Sequence, residues 1–235
     1  MHREGLTKRF GMEPPRLARL LRALEAGYSP SNPYHNSAHA ADVLRNLHVL
    51  LHGARLTEHY LDPLGLLAAY FAAIVHDYGH HGLTNDFLVA TSHPLALRYN
   101  DRCPLESHHC AAAFSLIAER PDLDALAGLS RAQRAAFRKQ VGCCGAPDVE
   151  APAAPEAPVP RDDAERLLSL QVALKVADLG HLGAELEAHK RWLRCLEEEF
   201  FGQGDRERQL GLPISPLFDR SKQGVSKSQA RLGLG

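Results

Sequence analysis

The sequence has no C-x-x-C pair, no basic stripe and no apolar run long enough to span a bilayer. Its five cysteines, Cys103, Cys110, Cys143, Cys144 and Cys195, are odd in number and irregularly spaced. A disulfide framework and a thiolate zinc site are therefore not expected, and a reducing, cytoplasmic compartment fits best. The opening residues Met1 to Gly5 carry no apolar core of the signal-peptide kind. The longest apolar stretch, Leu64 to Val75, is too short for a membrane span and runs straight into His76-Asp77, so it reads as a buried helix. Formal net charge is −1, which excludes the strong positive field of a nucleic-acid binder. Aromatic residues make up only 6% of the chain, but 45% is hydrophobic, enough for one sizeable core and a single domain over 1–235.

What is there is helical periodicity and histidine. Leu17, Leu20, Leu21 and Leu24 recur at helix spacing after Pro14-Pro15, as do Val43, Leu44, Leu47, Leu50 and Leu51 before Gly53. Asp62-Pro63 opens a further helix, and others are expected over roughly 105–119, 131–141, 164–177 and 184–201. Period-2 alternation is absent, and the expected fold is all-α. One segment, Gly142 to Pro160, is dominated by Ala and Pro and is expected to be a mobile insertion within the domain.

Fourteen histidines are many for 235 residues, and their order decides the chemistry. His35 and His39 are four apart, a spacing that puts them on one helical face; alone, such a pair reads equally as a surface feature. His76 and Asp77 are adjacent, so they can share a site only near an irregular helix end, and Gly79 and Gly82 supply the freedom for one. An imidazole beside a carboxylate suits zinc or another borderline ion, and the carboxylate can reach a harder second ion. Asp178 ends an apolar helical run and needs a partner there, because an unpaired buried carboxylate is costly. In sequence order the three pieces read H…HD…D, the ligand pattern of the HD metal-hydrolase superfamily.

Longer motifs support this reading. The segments YHNSAHAADV (34–43), HDYGHHGLTNDF (76–87), LALRYND (95–101), LESHH (105–109), ADLGH (177–181) and EEFFGQGDRERQLGLPISPLFDR (198–220) resemble, in order, the catalytic domain of the class I 3′,5′-cyclic-nucleotide phosphodiesterases. The resemblance covers about 34–229 and implies a compact multi-helix domain hydrolysing cAMP, cGMP or both to the 5′-monophosphate. It implies two divalent ions. His39, His76, Asp77 and Asp178 would hold the tighter one, usually zinc, and Asp77 would bridge to a second, usually magnesium or manganese. By matching position, His80, Glu106 and His109 resemble the groups that orient the water around the second ion. His35 resembles the proton donor, and Gln229 the glutamine that binds the purine. Tyr34 and His181 would also face the nucleotide, together with His35, His39, Asp77 and Asp178.

The remaining histidines, among them His48, His52, His93 and His189, match no motif and are expected to be solvated or satisfied in the core; His81 and His108 are expected to face away from the site. Relative to the family pattern the domain is expected to be shortened at both ends. Gly142–Pro160 replaces an Ala-Thr-Asp-Met segment, and Leu232 stands where the family stacks a phenylalanine on the base, a contact worth roughly 1–3 kcal/mol. These departures leave a second reading beside the enzyme: a degenerate domain that binds metal or cyclic nucleotide without turnover.

Overall fold

The computed structural model describes residues 1–144, 162–222 and 225. Among them there are eleven α-helices, two short 3-10 turns and no strand. In chain order the helices are α1 (Leu6–Arg9), α2 (Pro14–Ala26), α3 (Ser37–Gly53), α4 (Leu56–His59), α5 (Pro63–Val75), α6 (Asn85–Ala90), α7 (Pro94–Arg98), α8 (Pro104–Glu119), α9 (Arg131–Cys144), α10 (Asp163–Asp178) and α11 (Leu186–Gln209). Most of the Gly142–Pro160 insertion, and Gln229 with Leu232, lie outside the described residues.

The hydrophobic effect organises the helices around α5. Asp62 caps its start by accepting from the Gly65 amide at 2.7 Å, and Pro63 sits at the first helical position, where no amide is needed. Nearly every side chain from Leu66 to Val75 is buried, as suits a helix apolar on all sides. It packs against α3 and α9, and α10 closes over α3. Phe137 of α9 is fully buried, its ring 5.3 Å from Phe71 and 6.2 Å from Phe114. A smaller apolar cluster of Leu83, Phe87, Leu88, Leu95, Ala96 and Leu105 holds α6, α7 and the start of α8 together.

The long helix α11 departs from the apolar rule. It buries Glu199, Gln203 and Glu207, a stripe that costs free energy unless every polar atom is paired. Pairing is supplied from elsewhere in the chain. Gln203 accepts from the Thr84 amide at 2.8 Å and donates to Glu207 at 2.8 Å, and Glu207 accepts from the Ser215 amide and hydroxyl, both at 2.7 Å. These bonds fasten α11 to the segment that follows the His76–His80 turn. Gly204 lets the chain return across the helix, because a β-carbon there would lie 1.9 Å from the Phe218 carbonyl oxygen.

Two glycines on α11 thus carry opposite expectations. In an open helix position, Gly→Ala stabilises by about 1 kcal/mol; Gly202, with nothing near its missing side chain, should behave so. Gly204→Ala should instead destabilise by about 1–3 kcal/mol through overpacking against backbone. Urea denaturation of the two variants checks this, and a stabilised Gly204→Ala would contradict the close approach.

Candidate metal centre

The chain enters the site through Asn36. Its side chain accepts from the Ala38 and His39 amides at 3.0 and 3.2 Å and so caps the start of α3. His35 therefore precedes the helix, which corrects the expectation that His35 and His39 share a helical face. The strong N-cap between them ends the helical geometry one residue too early. His39 points inward from the first turn of α3, whereas His35 turns to a different set of neighbours.

At the other side α5 ends at Val75 and His76 continues in helical geometry as its C-cap. The chain then turns, with Gly79 and Gly82 at φ +71° and +67°. This is the irregular helix end that the adjacent His76 and Asp77 require, and the left-handed conformation favours glycine at both positions. Asp178 is the last residue of α10.

These pieces meet. His39 Nε2 lies 3.1 Å from Asp178 Oδ1, 3.5 Å from Asp77 Oδ2 and 3.3 Å from His76 Nε2. His76 Nε2 lies 3.0 Å from Asp77 Oδ2 and 3.7 Å from Asp178 Oδ1. Four ligands at 2.0–2.1 Å around a tetrahedral ion are separated by about 3.3 Å, so the donor set fits a divalent metal. The tautomers fit as well. The Nδ1–H of His76 donates to the Ala73 carbonyl at 3.0 Å, which leaves Nε2 facing the other three donors.

Asp77 presents its second oxygen elsewhere. Oδ1 faces His109 Nε2 at 3.9 Å, and Asp77, His80 and His109 form a second group of converging ligand atoms. His109 donates from Nδ1 to the Tyr78 carbonyl at 2.7 Å, and His80 Nδ1 accepts from the Gly82 amide at 2.9 Å. Burial pushes both rings down, His80 to about 3 and His109 to about 4, so both are neutral near pH 7. Glu106 is not in this group; its carboxylate accepts from the Asn85 amide nitrogen at 2.9 Å.

His35 is bound to Glu199 of α11. Its Nδ1–H donates to Glu199 Oε1, and Oε2 of the same carboxylate accepts from the Tyr34 and His35 amides at 3.0 and 3.1 Å. The His35 ring stacks on His80 with centroids 4.0 Å apart. Asn32 ties the two segments together, donating to the His35 and His80 carbonyls at 3.0 and 2.8 Å. Burial opposes a charge on His35, but the carboxylates of Asp77, Glu199 and Asp178 outweigh it and raise its pKa above the usual histidine value. Glu199 lies within the EEFFGQGD motif, but nothing local in the sequence marks it as the partner of His35.

Tyr34 is buried beside His39, with ring centroids 4.5 Å apart, and approaches His181 at 6.0 Å and Trp192 at 5.6 Å. His181 is buried too, and its Nδ1 lies 3.1 Å from Nδ1 of His189, so His189 is a neighbour of this region rather than an isolated solvated residue. His81 and His108 lie 5.8 Å apart, with His93 5.4 Å from His81.

An all-helical fold with a buried His/Asp centre suited to divalent metal defines the class. The chain matches the profile of 3′,5′-cyclic nucleotide phosphodiesterases over residues 34–144 and 152–232. It is 39% identical over 240 residues to the mouse dual specificity calcium/calmodulin-dependent 3′,5′-cyclic nucleotide phosphodiesterase 1C, covering 97% of this chain and 33% of that protein. It is 38% identical over 236 residues to the human enzyme of the 1B type, covering 97% of this chain and 43% of that one. The chain thus belongs to the 3′,5′-cyclic nucleotide phosphodiesterase family, and it spans less than half the length of these relatives. No helix among the described residues is long and apolar enough to cross a membrane.

The electrostatics of the centre make a binding prediction. Burial disfavours a proton on His76, but Asp77 and Asp178 overcome it and raise the ring to about 10. Near neutrality that proton occupies Nε2, the atom a metal needs, and each bound ion displaces it. Zinc affinity, measured by competition with a chromophoric chelator, should therefore tighten by about tenfold per pH unit between about pH 6 and 9. Asp178→Ala should abolish the tight equivalent; pH-independent binding would contradict this account.

Proposed function

We propose that the chain hydrolyses a cyclic nucleoside 3′,5′-monophosphate, cAMP, cGMP or both, to the nucleoside 5′-monophosphate, and so ends a cyclic-nucleotide signal. The observation that carries the reading is the division of Asp77: Oδ2 belongs to the His39–His76–Asp178 group, whereas Oδ1 faces the His80–His109 group. A carboxylate shared in this way suits two ions side by side; the family pattern implies zinc at the His39–His76–Asp178 group and, bridged by Asp77 and held otherwise by water that His80 and His109 orient, magnesium or manganese. Bound there, the pair of cations would make water nucleophilic near neutral pH and neutralise charge on the phosphoryl oxygens.

The chain's own groups supply the rest. The leaving O3′ departs as an alkoxide unless it receives a proton, and His35 holds one close to neutrality. Glu199 grips Nδ1, so the transferable proton is on Nε2 and the ring cannot rotate away. His80, stacked on His35 and uncharged, keeps its Nε2–H available to oriented water. His109, with Nδ1 committed to the Tyr78 carbonyl, offers Nε2 to the same region, and Glu106 acts through its bond to Asn85. Tyr34 and His181 wall the space next to the metal group where the nucleotide would bind, and Gln229, outside the described residues, is assigned to the purine by its place in the family pattern. No disulfide joins Cys103, Cys110 or Cys195 among the described residues, which suits a reducing cytoplasm.

The relatives' names carry dual specificity, so both nucleotides belong in the test. Protein supplied with zinc and magnesium should release 5′-monophosphate from at least one of them. Saturable binding with no product would overturn the enzyme in favour of a binding domain. His35→Ala should lower kcat about 10²–10⁴-fold. Glu199→Gln should cost about 10–100-fold and move the basic limb of the pH–rate profile to lower pH. The sign follows from the proton: activity needs protonated His35 and falls as pH rises through its pKa, and Glu199 is one of the charges that hold this pKa up. An unmoved limb would remove His35 from the role of proton donor.

A further inference from the structure

On the opposite end of α3 a second set of donors converges. We propose that Glu4, His48 and His52 form a further cation site, for a borderline divalent ion such as zinc, separate from the His/Asp centre. His48 and His52 are one helical turn apart on α3, the spacing at which two imidazoles can grip one ion. Glu4, from the turn ahead of α1, brings Oε1 to 3.4 Å from His52 Nε2. One donor atom from each of the three residues lies within 4.8 Å of the others, so small rotamer shifts close the set to ligand separation. Two neutral imidazoles and one carboxylate are a donor set that favours zinc, nickel or copper over magnesium or calcium.

Tyr70 makes the arrangement more than a chance surface cluster. Its hydroxyl, on the buried helix α5, lies 2.7 Å from His48 Nδ1 and 3.3 Å from His52 Nε2, so one phenol orients both rings. Burial raises Tyr70 to about 12, so it stays an uncharged phenol whose oxygen can accept an N–H from each ring, leaving His48 Nε2 and His52 Nδ1 as the free nitrogens, and it is not itself an anionic ligand. The rings lie with centroids 4.4 Å apart. An ion there would staple the segment before α1 to α3.

The catalytic centre also binds metal, so the experiment counts equivalents. Protein stripped with chelator is titrated with zinc alone, and bound metal is measured by equilibrium dialysis. The double variant His48→Ala/His52→Ala should bind one equivalent fewer than the wild type and keep the same turnover with metal at saturation. Asp77→Ala/Asp178→Ala should retain that same equivalent. Glu4→Gln, a mild change at a partly exposed position, should weaken it by about 10-fold or more and guards against a double variant that fails to fold. Cobalt in place of zinc should give the visible spectrum of a nitrogen- and oxygen-liganded ion in Asp77→Ala/Asp178→Ala and lose it on adding the two His→Ala changes. Equal zinc stoichiometry in the wild type and the folded His48/His52 variant, or an unchanged zinc affinity of that equivalent in Glu4→Gln, would overturn the site and leave the three residues as a hydrogen-bonded surface network.

Discussion

Two imidazole nitrogens 3.3 Å apart, with two carboxylates around them, are the constraint on which the rest of the molecule depends. Such groups repel or demand charge between them, and in a buried place water cannot screen the demand. Their position is fixed by the ends of three helices: the first turn of α3, the last residue of α5's run and the last residue of α10. Helix ends can be aimed only if helix bodies are immobile, and this explains why α5 is apolar on every side. Its burial positions His76 and Asp77 as well as stabilising the fold. The proton on His76 holds the assembly together when no ion does, so the same electrostatics serve the protein with and without metal.

A second layer works by polar pairing. The α11 helix buries carboxylates and an amide that a stable core would ordinarily replace with leucine. Two of them are bonded to segments bearing site residues, Glu199 to 34–35 and Gln203 through Thr84 to the turn that leads from His80, while Glu207 holds Ser215. The gain is registry: an apolar α11 could slide by a turn without penalty, but this one cannot without orphaning several buried polar atoms.

The sequence made the convergence of His39, His76, Asp77 and Asp178 legible because metal chemistry restricts residue types and because the H…HD…D order is carried by long motifs. It made the all-α fold legible because α2 and α3 follow helical periodicity and period-2 alternation is absent. Other features depended on pairs far apart in the chain. His35 and Glu199 are 164 residues apart, and no local pattern couples them. Asn36 was open to recognition as a helix cap, and overlooking it put His35 on the wrong side of the helix start. His48 is exposed, as a solvated residue would be, but the contacts that gather His48 and His52 come from residues 4 and 70, which no local pattern links to them. The relation of Gly142–Pro160 and Gln229 to the site falls outside the described residues.

The spread of the ligands along the chain also orders events during synthesis. A ribosome delivers His35, His39, His76, Asp77, His80 and His109 well before Asp178 and Glu199. Until the chain passes residue 178 the tight centre is missing one of its four donors, and until α11 folds His35 has no carboxylate. The nascent chain therefore passes through a long interval with five histidines and an aspartate of the site made but their last partners still missing. The His39–His76–Asp77–Asp178 geometry is thus complete only when α10 has docked, and the His35–Glu199 pair only when α11 has.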